Sequence, residues 1–264
     1  MIPRIATILA VIGAVIGVAC VDMSAPAGPA SISALQLPSP SVVVGDVMRD
    51  SNGAPAKLSV IAYDANGARL TDVATQFFVT DTGAAATVDA SGLLTGTKTG
   101  TVHVVGQIGA LQTPVAAITV TVAPTLITSK TPDTLRPPPS IDTTQRASKP
   151  DTVKVTGAGG IGAVGFVVKY ALLQAPSTAA SSKSPAVYLG DDQGKPSTVD
   201  TTDASGIAIR NVWVVSAFLS DTVLANLLRG GVDSAVVTAQ TSYKGALVSP
   251  SPIKIVIPIK LKLP

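Results

Sequence analysis

Residues 58–105 read LSVIAYDANGARLTDVATQFFVTDTGAAATVDASGLLTGTKTGTVHVV. Short apolar runs, each about one strand long, alternate with clusters of Gly, Asn and Asp. Leu58, Val60 and Ala62 alternate with Ser59, Ile61 and Tyr63, the period of two that sends neighbouring side chains to opposite faces of a sheet. Asp64-Ala65-Asn66-Gly67 and Asp89-Ala90-Ser91-Gly92 read as turns, because Asn and Gly tolerate positive φ and Asp bonds its own backbone two residues on. Residues 73–80, with Phe77 and Phe78, and 100–106, with Val102 and Val104, supply further strands. Nothing in the stretch carries chemistry; its repeated pattern is that of a folded β-sandwich.

Working outward, residues 41–44 and 114–122 add a first and a last strand. About seven short strands with turns every 8–12 residues make a sandwich over 41–123. The whole chain has 264 residues, enough for two such modules with a leader and linkers. It is 46% hydrophobic but only 3% aromatic and 13% charged, with 23 Gly and 20 Pro. The β-branched Val and Thr that pack well on pleated surfaces are abundant. The net charge is +3, from scattered Lys and Arg without interleaved aromatics, which argues against a nucleic-acid partner. One Cys excludes an internal disulfide.

The leader, MIPRIATILAVIGAVIGVAC, has Arg4 as a minimal positive region, then an uncharged run over 5–19. That run is shorter than the roughly 20 residues of a membrane span and reads as a secretory signal over 1–19. Cys20, the only Cys, ends it, and a polar, Pro/Gly-rich segment follows. This arrangement resembles a bacterial lipoprotein signal, in which the Cys thiol is acylated and becomes the mature N-terminus. Val18 and Ala19 fit that pattern; Gly17 departs from the aliphatic residue it usually holds. The resemblance implies Cys20 as the lipidation site and a membrane held through the N-terminal lipid, each buried CH₂ adding about 0.8 kcal/mol. Val21 and Asp22 give no inner-membrane retention signal, which points to the outer membrane. Residues 20–40, with Pro26, Pro29, Pro38 and Pro40, are expected to form an extended tether.

Gly45-Asp46, Tyr63 through Gly67, Ala86 through Gly96 (ATVDASGLLTG) and Gly100-Thr101 resemble the bacterial immunoglobulin-like domain, group 2, almost across the whole first module. The resemblance implies an immunoglobulin-like sandwich of the kind found in adhesins, surface enzymes and envelope lipoproteins. Where family members often carry Trp in the third strand, this chain has Phe77 and Phe78, a conservative departure for core packing.

Residues 124–150, with three consecutive prolines at 137–139, read as a semi-rigid linker, part of which can lie along the next module as an edge strand. Residues 151–264 read as a second sandwich with strands near 152–156, 165–173, 186–189, 209–218, 234–241 and 252–263. Lys254, Lys260 and Lys262 are placed to guard an exposed edge of the last strand. Ser220 caps a short helix over 220–229, with Val223, Leu224, Leu227 and Leu228 on one face and Gly230-Gly231 as the stop. Thr202 to Ala208 (TDASGIA) and the later VVTAQ at 236–240 are similar to bacterial immunoglobulin-like group 1 domains. Asp203 to Gly206 repeats the Asp-Ala-Ser-Gly of the first module.

Four features invite a functional reading. Gly160-Ile-Gly-Ala-Val-Gly165 has the spacing of a dinucleotide-binding loop, but strand formers follow it instead of a helix, so it reads as a glycine-rich loop. His103, the only His, alternates with buried-type Val residues and has neither a second His nor a thiol to form a zinc cluster or a catalytic triad. Asp64, Asp89, Asp191-Asp192 and Asp203 offer oxygens suited to Ca²⁺, yet each Asp-x-x-Gly is explained by its turn. Trp213 is expected in the core and not as a sugar platform. The expectation is therefore a non-enzymatic, cofactor-free, lipid-anchored cell-envelope protein, a spacer or adhesion module. The rival is a surface lipoprotein whose second-module loops, notably 175–195, hold a glycan or an envelope protein.

Overall fold

The computed structural model describes residues 28–71, 73–130 and 132–262. Cys20 and the leader lie outside the described residues. Of the rest, one short α-helix, α1 (Asp221–Leu228), and two 3-10 turns interrupt a chain of strands. The chain is all-β: two sandwiches in tandem. No helix among the described residues is long and apolar enough to cross a membrane.

The first sandwich pairs two main sheets. One holds β1 (Ser31–Gln36), β3 (Ser59–Tyr63) and β4 (Arg69–Leu70), in the order β1-β3-β4. The other runs β2 (Ser41–Val43), β10 (Ala116–Thr121), β8 (Gly100–Ile108) and β5 (Gln76–Val79), with β9 (Leu111–Gln112) also on β8. β6 (Ala86–Val88) and β7 (Leu94–Gly96) form a separate hairpin. Alternation decides which side chains meet: Val102 and Val104 of β8, Ile118 and Val120 of β10, Val42, Met48, Leu58 and Leu94 form the core. Phe77 packs against that core, while Phe78 faces out. β2 runs parallel to β10, Val44 bridges Gly96 in parallel, and the other strand pairs described in this module are antiparallel.

The second sandwich stacks the sheet β11 (Pro124–Ser129), β12 (Ala147–Gly157), β16 (Ile207–Val214), β14 (Val187–Gly190) on a second sheet. That sheet runs β15 (Val199–Thr201), β13 (Val167–Gln174), β17 (Asp233–Tyr243), β18 (Ala246–Leu247), with β19 (Ile253–Ile259) also on β17. Its core takes Val153, Val155, Val212 and Val214 from one sheet and Val168, Val237, Ile255 and Ile257 from the other. α1 sits at one end, its Ser220 side chain accepting from the Val223 N–H and Leu227 buried against the core, as the sequence led one to expect.

Three expectations are corrected. The tether does not reach residue 40: β1 pairs with β3, and Leu35 packs on the first core, because the Ile32–Leu35 stretch has apolar side chains to bury. Part of the linker lies along the next module as the edge strand the sequence allowed, and the rest is not free linker either. β11 pairs along β12, with Ile127 fully buried, so only Val122 and Ala123 separate the last strand of one sandwich from the first of the next. Past it, Leu135 is buried and bridges Ile259, and the carbonyls of Pro137 and Pro138 accept from the Lys262 N–H and the Ser216 hydroxyl. Proline lacks a donor but keeps its acceptor, so a Pro-rich segment can strap a sheet. For the same reason β19 is not an open edge beside Leu135; Lys254, and Lys262 beyond the strand, face solvent, and Lys260 is half-buried.

Candidate functional site

The Asp-x-x-Gly turns recur in both modules, starting at Asp50, Asp64, Asp89, Asp191 and Asp203. In each, Asp Oδ1 accepts the N–H groups two and four residues on, at 2.8–3.0 Å. The Gly adopts φ between +77° and +86°, conformations that favour glycine. At Asp89, the Leu93 N–H and the Ser91 hydroxyl hold the carboxyl below its usual range. These oxygens are turned onto their own backbone, and among the described residues no three His, Cys, Asp or Glu side chains gather as a metal donor set.

The other singled-out residues are equally local. Residues 160–165 form the loop between β12 and β13. Gly162 lies against the Ser205 backbone and Gly165 against Ser41, where a Cβ would sit within 2.5 Å of heavy atoms, so packing explains these glycines. His103 is on the outer face of β8, its backbone N–H donating to Asp81 Oδ2 at 2.5 Å and its Nδ1 lying 2.9 Å from Asp81 Oδ1. Those two bonds, backbone first, lower the Asp81 carboxyl. Trp213 corrects its expectation. It lies on the outer face of β16, between the inward Val212 and Val214, and its ring is near-parallel to Tyr188 of β14 at 6.4 Å. Its Nε1 donates to the Asp191 carbonyl at 3.0 Å, and the exposed Arg146 guanidinium lies 5.2 Å over the ring.

The polar constellation that sequence reasoning missed lies where the modules meet. Asp46, only 9% exposed, sits in the turn after β2. Arg49 holds it with two parallel bonds, Nε to Oδ2 at 2.7 Å and Nη2 to Oδ1 at 2.9 Å, while its Nη1 donates to the Gly53 carbonyl. From the second module the Tyr243 hydroxyl donates to Asp46 Oδ2 at 2.6 Å, and Lys244 Nζ lies 3.4 Å from the same oxygen. Burial pushes the Asp46 acid up, but the Arg49 and Tyr243 hydrogen bonds outweigh it and hold the carboxyl well below its usual range. Burial, then the bond to Asp46, raises the Tyr243 phenol.

Local structure aims these groups. Lys244-Gly245 is a two-residue hairpin loop between β17 and β18 with both φ values positive, +52° and +76°. Its backbone presses against Gly53, where a Cβ would lie 2.5 Å from the Gly245 nitrogen. Nearby, the Val164 N–H donates to Thr121 Oγ1 at 2.9 Å, and Phe166 meets Tyr243 edge-on at 6.0 Å. A cleft of about 160 Å³ opens beside this joint, between Pro38 and Pro40 of the first module and Phe166, Lys169 and Tyr243 of the second. It is smaller than the several hundred Å³ that enclose a drug-sized ligand.

No family model matches the chain, and no curated protein matches it. Among solved structures it is similar to domains 1–6 of the surface layer protein SbsC, at 15% identity and TM-score 0.33, over 89% of this chain and 29% of that one. The Yersinia pseudotuberculosis adhesin InvE is 17% identical with TM-score 0.32, over 87% of this chain and 58% of that one. Invasin, a bacterial integrin-binding protein, is 14% identical with TM-score 0.27, over 81% and 38%. The chain thus spans less than two thirds of the length of each of these three structures.

Proposed function

We propose that the protein is a non-enzymatic, lipid-anchored cell-envelope protein whose two sandwiches, of the bacterial immunoglobulin-like kind, act together as a stiff spacer or adhesion module. The direct joint carries this reading: two residues of connection, an Asp46 carboxylate clamped by three cationic or phenolic groups from both modules, and two glycines, Gly53 and Gly165, that permit close contact between the modules. Intra-chain domain contacts are usually weak and allow relative motion, so a buried charged clamp at the contact supports a fixed orientation. The placement of Cys20 at the end of the leader supports the anchor and an outer-membrane location. Metabolic labelling with a palmitate analogue in a bacterial host tests it: label is expected on the wild type and lost in Cys20→Ala, and label that persists overturns the anchor.

A second reading, a glycan held at the second module, draws on one observation. Trp213 and Tyr188 present a near-parallel aromatic pair on an outer sheet face, next to the 191–195 loop. Retention on a cell-wall glycan column that Trp213→Ala abolishes, with the fold intact, would favour it; equal retention of both proteins removes it.

A further inference from the structure

Asp151 is fully buried, at 0% exposure. It occupies an inward position of β12, in line with Val153 and Val155, so the pleat aims its carboxyl between the two sheets. Neither of its oxygens has a hydrogen-bond partner. From the opposite sheet Tyr170 of β13 enters the same core, 3% exposed, its hydroxyl also unpartnered. Arg210 is the cross-strand neighbour of Asp151 on β16, in the inward register of Ala208 and Val212. Its guanidinium reaches past Asp151. Nη1 lies 3.4 Å from Asp200 of β15 and donates to the Ile209 carbonyl, Nη2 donates to the Val199 carbonyl, and Nε is buried without a partner. The other elements around the core present Ile127 (β11), Val187 and Leu189 (β14), Ala235, Val237 and Ala239 (β17), and Ile255 and Ile257 (β19). None of these ionises.

We propose that Asp151 is carried in this core as the neutral acid and makes the second sandwich a pH-responsive module, tight in acid and loosened when the carboxyl ionises. A carboxylate only accepts, and no donor bonds this one. The charge of Arg210 is already matched by Asp200. An isolated charge in an apolar interior is so unfavourable that the group takes up its proton instead. Burial accordingly pushes the Asp151 acid from 3.8 up to about 7, and burial together with the Asp151 charge raises the Tyr170 phenol. The sign follows from the raised value. Between 3.8 and about 7 the folded chain binds more protons than the unfolded one, so the contribution is full below pH 3.8 and is lost as pH rises through 7.

The chain's one Trp, Trp213, lies in this sandwich, so its fluorescence reports the second module alone. Denaturant unfolding of the full mature chain, wild type against Asp151→Asn, is followed from pH 5 to pH 8. The wild-type folding constant, divided by that of the variant, is expected to fall about 100-fold over this range. A flat ratio overturns the proposal. So does a ratio that rises with pH, which would mean an ionised Asp151 bonded to Arg210 or Tyr170. If Asp151→Asn does not fold, the wild type is read directly by the carboxyl-carbon shifts of ¹³C-labelled Asp, since all 16 acidic residues are Asp. The sequentially assigned Asp151 carboxyl titrating near 7 supports the proposal, and an Asp151 midpoint below 5 overturns it.

Discussion

In the first sandwich and at its joint, Asp46, Asp81 and Asp89 sit below the usual carboxylate range because donors are aimed at them. In the second, Asp151 sits far above it because none bonds it. Acid therefore withdraws stabilisation at Asp46, Asp81 and Asp89, as at the exposed Asp142 of the second module, whose carboxyl the Thr144 N–H and hydroxyl lower, and restores it at Asp151. The difference tracks core size. Among the described residues the first core holds 10 buried apolar side chains and the second 22. The larger core has room to absorb one unsatisfied acid; the smaller keeps Asp89 at a turn, Asp81 at its outer face and Asp46 at its joint, each accepting hydrogen bonds.

The contrast breaks most readily by emptying the smaller core. Ile118→Ala, at a fully buried site of β10, is expected to destabilise the first sandwich by about 2–5 kcal/mol. Calorimetry should then show its transition moving down or vanishing, while Trp213 fluorescence keeps its native midpoint. Ile257→Ala in the second core should do the reverse. If either variant moves both signals together, the two sandwiches melt as one unit and the comparison fails.

A smaller effect is expected at the joint. Asp46→Asn leaves Arg49 and Lys244 without their carboxylate and should cost about 2 kcal/mol. Its distinguishing readout is orientation: residual dipolar couplings of the wild type should fit one alignment tensor for both modules and those of the variant two. Tyr243→Phe, which removes one hydrogen bond of that node, should cost about 1 kcal/mol and leave one tensor.

An effect of the same size, confined to one module, belongs to the open turn of β3 and β4. Gly67→Ala has space for its methyl but must keep φ near +79°, so about 1 kcal/mol is expected in the first transition and none in the second.

How far the sequence anticipates this molecule depends on the range of each interaction. The Asp-x-x-Gly turns at Asp64, Asp89, Asp191 and Asp203, the inward Val102 and Val104 of β8, and the Ser220 cap are contacts within a few residues, and they stand as read. β11 was open to reading as an edge strand of the linker, but β1, between Pro29 and Pro38, and the strap at Leu135 were hidden by prolines, which mask extended segments that still accept hydrogen bonds. Trp213 was misplaced because its hydrophobicity outweighed the alternation of Val212 and Val214 around it. That same alternation, Asp151 with Val153 and Val155, marks Asp151 as inward in the sequence itself. Nothing local announces the bond between Tyr243 and Asp46, 197 residues apart.

The parallel pairing of β2 with β10 acquires a meaning once the chain is pulled. β1 and β2 run toward the joint, and β10 leaves through it, so tension applied between residue 30 and the second module drags these neighbours in opposite directions along their length. The ladder Ser41–Thr119, Val42–Val120 and Val43–Thr121, with the flanking bonds from the Val44 and Thr119 N–H groups, is then sheared as a set and not unzipped one bond at a time. The second module repeats the device, since residues 135–137 run alongside 258–262 in the same direction. Tugged end to end, each sandwich resists with several hydrogen bonds at once.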